Sequence, residues 1–169
     1  MGPVLIPVLV AVGLVLLLGA ALHDIAVRTV PNCVPAAIAV LGVAARVLAG
    51  DIWLGLTVAG VVFLAAALLW WRGMMGGADA KLLGAVAVLA PPGRIPELLL
   101  TIALCGGVLA IFYLLMSHLV TRPAQGPRRT FVGRLAKAER WRLSRRGPLP
   151  YATAIAGGSM ISLFNVVAG

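Results

Sequence analysis

The sequence predicts an all-α, polytopic membrane protein with about six transmembrane helices and both termini on the extracytoplasmic side. Three observations lead there. The chain is 62% hydrophobic and only 11% charged, far from the balance of an ordinary soluble domain. Its apolar residues fall in runs of bilayer-spanning length, broken at Pro, Gly or charged residues. Nine of its 14 Lys and Arg residues lie between Arg122 and Arg146, in one stretch between two apolar runs, and such a cluster marks a cytoplasmic membrane loop. A chain of 169 residues with this composition reads as one membrane-embedded domain over residues 1–169, with little room for another.

The first apolar run is almost wholly Val, Leu, Ala, Ile and Gly, and about 20 such residues cross a hydrocarbon core of about 30 Å. It predicts a helix over about 3–22, ending at His23-Asp24, with Pro31-Asn32 blocking any continuation. The run lacks a basic leading segment and further spans follow, so it reads as a retained helix, not a cleaved signal. A second, short helix over about 34–48 is closed by Arg46, Gly50 and Asp51. The third, 52–71, has Trp53 at one end and Trp70-Trp71 at the other, where interfacial aromatic belts belong. The fourth, 79–90, stops at Pro91-Pro92 and is short for a span, so it crosses only if neighbouring helices shield it from lipid. The fifth covers 95–119 and the sixth 150–167, with the basic loop 120–149 between them. Arg28, Arg72, Lys81 and the basic loop fall on one side, which the positive-inside rule makes cytoplasmic.

The net charge of +9 does not make this a nucleic-acid-binding protein, because the charge is gathered in one loop and no nucleic-acid-binding motif accompanies it. Within that loop, Phe131–Ser144 has the pattern of a basic amphipathic helix lying on anionic lipid head groups. Cys33 and Cys105 form neither a CxxC pair nor a zinc-ligand set, so no metal or cofactor is expected, and both read as small buried hydrophobes.

Only five acidic residues occur: Asp24, Asp51, Asp79, Glu97 and Glu139. Ionisable groups at the border of a membrane segment are costly and point to function. Asp24 and Asp79 reach the same, cytoplasmic, face by the charge argument alone. Two neighbouring carboxylates cannot both ionise cheaply; they share a proton, and one can activate water while the other polarises a peptide carbonyl. Such a pair titrates as a unit, so neither residue is assigned as acid or base. The alternative is that Asp79 caps the fourth helix and Asp24 merely faces water.

Three segments carry a resemblance to a known family. Asp24-Ile25-Ala26-Val27-Arg28-Thr29-Val30-Pro31-Asn32 resembles the first aspartate segment of the type IV prepilin peptidases. Gly76-Gly77-Ala78-Asp79-Ala80-Lys81 is similar to their second, Gly-x-Gly-Asp-x-Lys. Leu149-Pro150-Tyr151 resembles the Pro-Tyr opening of the last helix in the short members, which serve tight-adherence (Flp) pili. The resemblance implies an aspartic endopeptidase with Asp24 and Asp79 as its dyad, cutting prepilin leaders at the cytoplasmic face of a prokaryotic inner membrane. Its implied partners are the prepilin and pilus-assembly proteins. Larger members carry a four-cysteine domain and also N-methylate; nothing is inserted after the first helix here, so methylation is not expected.

Gly76, Gly77, Lys81, Arg28, Pro31 and Asn32 are expected to shape the site or bind substrate. The glycines let the backbone bend and approach substrate. Lys81 lowers the carboxylate pKa, binds a substrate carboxylate, or simply snorkels. Arg28 is first a topology charge, and Pro31-Asn32 sets the turn that holds Asp24. His23 and His118 read as interfacial. Ala78 stands where the family has Gly, so ordinary backbone angles are expected there. Competing functions are a small ion- or proton-coupled transporter, disfavoured because its ionisable groups belong near the midplane, and an inert pilus-assembly scaffold.

Overall fold

An apolar run in lipid has no water to satisfy its peptide groups, so it must bond to itself as a helix. The computed structural model describes residues 2–27, 29–119 and 151–168. Within them are six α-helices: α1 Gly2–Val27, α2 Cys33–Ala49, α3 Ile52–Trp71, α4 Gly77–Leu89, α5 Ile95–Leu119 and α6 Tyr151–Ala168, with a short 3-10 turn at Pro92–Arg94 and no strand. Arg28, the basic loop 120–149 with its expected amphipathic helix, and the side chain of His118 lie outside the described residues. Three segments are long and apolar enough to cross a membrane: Val4–Val27, Ile52–Trp71 and Pro92–Met116. The outward faces are apolar too, with Val15, Leu64, Val108 and Phe164 each about two-thirds exposed, as suits an all-α membrane protein and not a water-soluble one.

The first helix runs past its expected end. His23 and Asp24 lie inside α1, which continues to Val27. Neither residue breaks a helix; the first residue that does is Pro31, which also biases Val30 away from helical angles. Asp24 therefore projects from a rigid helix and not from a loop. The next two helix ends are set by glycines in the left-handed region, Gly50 at φ 75° and Gly73 at φ 72°. Each closes with the same paired bonds: Gly50 N–H to Val47 O and Asp51 N–H to Arg46 O, then Gly73 N–H to Trp70 O and Met74 N–H to Leu69 O. This is the Schellman arrangement, which satisfies the last carbonyls of a helix.

The short helix α4 is the centre of the molecule. It packs against α1, α2, α3 and α6, and every residue from Leu82 to Ala87 is buried. Its 13 residues reach about 20 Å, short of a hydrocarbon core of about 30 Å. Enclosure by its neighbours supplies the shielding that a short span needs. Glycines allow the approach. A Cβ on Gly42 of α2 would lie 2.7 Å from the Leu89 amide nitrogen, and one on Gly84 would lie 2.6 Å from the Phe63 ring of α3. Gly77 faces Trp70 as Gly84 faces Phe63, one heptad apart on both helices. The start of α4 is therefore level with the end of α3, and its shortfall lies at the far end, where the Pro92–Arg94 turn packs on α3.

Around this centre α5 packs on α6. A Cβ on Gly158 would lie 2.5 Å from the Ile102 backbone, and the Thr101 hydroxyl donates to Gly158 O at 3.0 Å across the contact. Arg46 and Asp51 form an ion pair at the α2–α3 turn. The Arg46 guanidinium is buried beside Gly55 and paired with Asp51 at 2.9 Å. At the same end of the bundle, Arg94 donates to Ser162 O at 3.2 Å. Cys33 is not buried as expected: it is exposed, and Cys105 is partly so. The buried stripe of α2 runs through Pro35, Ile38, Gly42 and Ala45, and Cys33 falls off that helical spacing.

Because backbone and not a flexible side chain meets Gly42, Gly42→Val will destabilise the bundle by about 1–3 kcal/mol. Gly19→Ala, where an added Cβ meets nothing within 4 Å, will be neutral or slightly stabilising. Thermal unfolding of the two variants in one detergent measures the contrast.

Candidate active site

Asp79 is the third residue of α4, two places beyond its first glycine. It is not the helix cap: Gly76 occupies that position, and no side chain bonds to the cap. Asp79 is half-buried, and its carboxylate folds back over Gly76, where an added Cβ would sit 2.7 Å from Oδ2. Gly77 is pressed against the Trp70 indole, with Nε1 3.0 Å from its would-be Cβ. The two glycines thus serve close packing of this chain's own side chains. The bend expected of them is made instead at Gly73, the residue with positive φ in this loop. Ala78 lies in the first turn of α4 with ordinary helical backbone.

Asp24 projects half-buried from the last two turns of α1, and the Asp24 and Asp79 carboxylates are close enough to interact electrostatically. Helices that are distant in sequence thus bring the two predicted carboxylates together. Asp79 opens into a cleft of about 680 Å³ that Leu69, Gly73, Met74, Met75, Gly76 and Tyr151 also line. Tyr151 opens α6 and lies within electrostatic reach of Asp79. Its ring rests on Gly106 of α5, 3.1 Å from where a Cβ would be. In the sequence Tyr151 stands out only as part of the Pro-Tyr motif, and nothing in its spacing sets it beside Asp79. The available signal was a lone polar aromatic at the start of an apolar helix.

Pro31 and Asn32 shape the entry to α2. Pro31 O accepts from Val34 N–H at 3.0 Å, and His23 Nδ1 donates to Thr29 O at 2.6 Å, pinning the start of the same connection to α1. The Lys81 ammonium donates to Asn32 Oδ1 at 2.9 Å, tying α4 to this connection. Two residues after Asp79, Lys81 lies about 200° around the helix. It faces away from the cleft into a separate apolar groove between α2, α3 and α4. Of the expected site residues, Asp24, Asp79, Gly76 and Gly77 gather at the cleft end of α1 and α4, while Asn32 and Lys81 pair on the opposite side of α4. Among the described residues no cluster of His, Cys, Asp or Glu could hold a metal ion.

The chain is thus a multi-pass helical membrane protein in which Asp79 faces an open cleft with the Asp24 carboxylate within electrostatic reach. The model of the type IV leader peptidase family matches residues 11–111, and the chain belongs to that family. It is therefore a peptidase, and membership implies prepilin substrates. The matched span contains Asp24, Asp79 and the connection between them; Tyr151 lies beyond it. No curated protein and no solved structure matches the chain.

The Lys81–Asn32 bond is testable by a double-mutant cycle. Lys81→Met and Asn32→Ala together will destabilise the protein less than the sum of the single changes, with a coupling of about 0.5–1.5 kcal/mol, read from thermal unfolding in detergent.

Proposed function

We propose that this protein is an aspartic endopeptidase that removes the leader from type IV, Flp-like prepilins at the cytoplasmic face of a prokaryotic inner membrane. Asp24 and Asp79 form the catalytic pair. The observation that carries the reading is that Asp79 lines a cleft of about 680 Å³ with the Asp24 carboxylate within electrostatic reach of it, in a chain whose family-matched residues include both.

The ionised member of the pair takes a proton from water, and the hydroxide attacks the scissile carbonyl. The protonated member gives its proton to the carbonyl oxygen. Collapse of the tetrahedral intermediate breaks the C–N bond: the leaving amine takes the proton that the base had gained, and the hydroxyl on the former carbonyl oxygen returns its proton to the other carboxylate as the C=O re-forms, which restores the singly protonated pair. Like-charge repulsion favours the singly protonated pair that this cycle needs. The cleft is bordered by the Trp70-Trp71 end of α3 and by Met74 and Met75, so it lies where a leader in water could meet an apolar pilin segment in lipid. Gly76 and Gly77 position Asp79, and Pro31 and Asn32 position the connection after Asp24. Cleavage without N-methylation is the expectation, since the short 28–32 connection carries no inserted domain of the kind the larger, methylating members have. Loop charge alone assigns residues 120–149 to the cytoplasmic side and both termini to the other, and anionic lipid and pilus-assembly proteins are the further partners of this reading.

Cleavage of a co-expressed Flp-type prepilin tests this. Asp24→Asn and Asp79→Asn keep shape and remove the ionisable group, and each will lower the rate by about 10²–10⁴-fold while the protein still inserts. Wild-type cutting by either variant would show that aspartate to be structural and refute the mechanism. Gly76→Ala has backbone angles that Ala accepts, φ −69° and ψ 142°, yet its methyl displaces the Asp79 carboxylate. It will fold normally and lose about 10²-fold in rate, the scale of a 1 Å misplacement.

A further inference from the structure

The groove on the far side of α4 shares only Asn32 with the mechanism above. It holds about 490 Å³ between α2, α3 and α4 and is apolar along Ala36, Ala39, Gly60, Phe63 and Val88. It exists because α2 and α3 each pack closely on α4 and only slightly on one another, so their small residues leave a trough with α4 as its floor. Its polar groups are Asn32 and Lys81, joined at 2.9 Å. Among the described residues the ammonium donates to a neutral amide, which does not balance its positive charge.

We infer that this groove is a binding site for an anionic phospholipid, with one acyl chain along the trough and the head-group phosphate on Lys81. Three features select that occupant. The trough lies on the flank of a membrane-spanning bundle, where hydrocarbon is the surrounding medium. Its one charged group is a cation beside the start of α2, next to the connection that leaves the apolar bundle, and Lys holds phosphate as a point charge. Finally, Lys81 and Asp79 point to different sides of α4, so a ligand here does not occupy the peptidase cleft. Bound lipid would wedge α2 and α3 against α4 and brace the helix that carries Asp79.

The test uses the purified full chain in detergent, with thermal unfolding read on adding phosphatidylglycerol or phosphatidylcholine. Gly60→Phe fills the trough from a position where a Cβ meets nothing within 4 Å, so it leaves the bundle intact. Lys81→Met removes the cation and keeps the trough. The wild type will be stabilised by several degrees more by phosphatidylglycerol than by phosphatidylcholine. Gly60→Phe will lose that difference, and Lys81→Met will respond equally to both lipids. Equal stabilisation of the wild type by the two lipids would overturn the inference. So would a phosphatidylglycerol preference that survives Gly60→Phe, which would assign it to the basic loop. Photo-cross-linking from position 36 that captures prepilin in place of lipid would also overturn it, making the groove a substrate site.

Discussion

The enclosure of α4 by four neighbours is the constraint on which the rest of the structure depends. A helix of 13 residues cannot span a bilayer by itself, and its ends would leave peptide groups in hydrocarbon. Gly42, Gly84 and Gly13 remove the side chains that would keep α2, α3 and α1 from its surface. Between close-packed helices, dispersion replaces the hydrophobic drive that lipid does not supply. The sequence of α4 is correspondingly small, with Ala80, Gly84, Ala85 and Ala87 all buried.

That enclosure also positions Asp79. With the first turn of α4 level with the end of α3, Asp79 is held near the Trp70-Trp71 border, at an edge where a water-borne segment can reach it. Because α1 continues to Val27, Asp24 is carried on a helix as well. Two carboxylates on two rigid helices keep a defined separation, whereas a loop-borne carboxylate would swing into water. The family match covers both aspartates and the whole of α4, whereas α6, which brings Tyr151 to the cleft, lies beyond it.

The opposite end of the bundle is closed by polar contacts of another kind. Arg46 is buried against Gly55 and answered by Asp51, and Arg94 reaches the carbonyl of Ser162 on α6. A buried guanidinium is costly to leave unpaired, so these contacts fix the α2–α3 turn and the start of α5 relative to α6. The molecule thus has one end locked by charge and one end left open as a cleft.

The sequence by itself determined that the chain is helical, because unbroken apolar runs in lipid have one backbone solution. It also determined that Asp24 and Asp79 share a face, since loop charge sets orientation without reference to packing, and it carried the motif resemblance that the family match supports. Tertiary structure decided what spacing does not encode. It extended α1 past Asp24, because only Pro31 stops that helix. It turned Gly76 and Gly77 from hinges into contact points for Asp79 and Trp70, and moved the bend to Gly73. It brought Tyr151 to Asp79 from a helix more than 70 residues away, and it turned Lys81 away from the cleft toward Asn32. Each of these depends on which helix faces which. Helix facing is set by the fit of small residues between neighbours, which no single helix in an almost uniformly apolar sequence records.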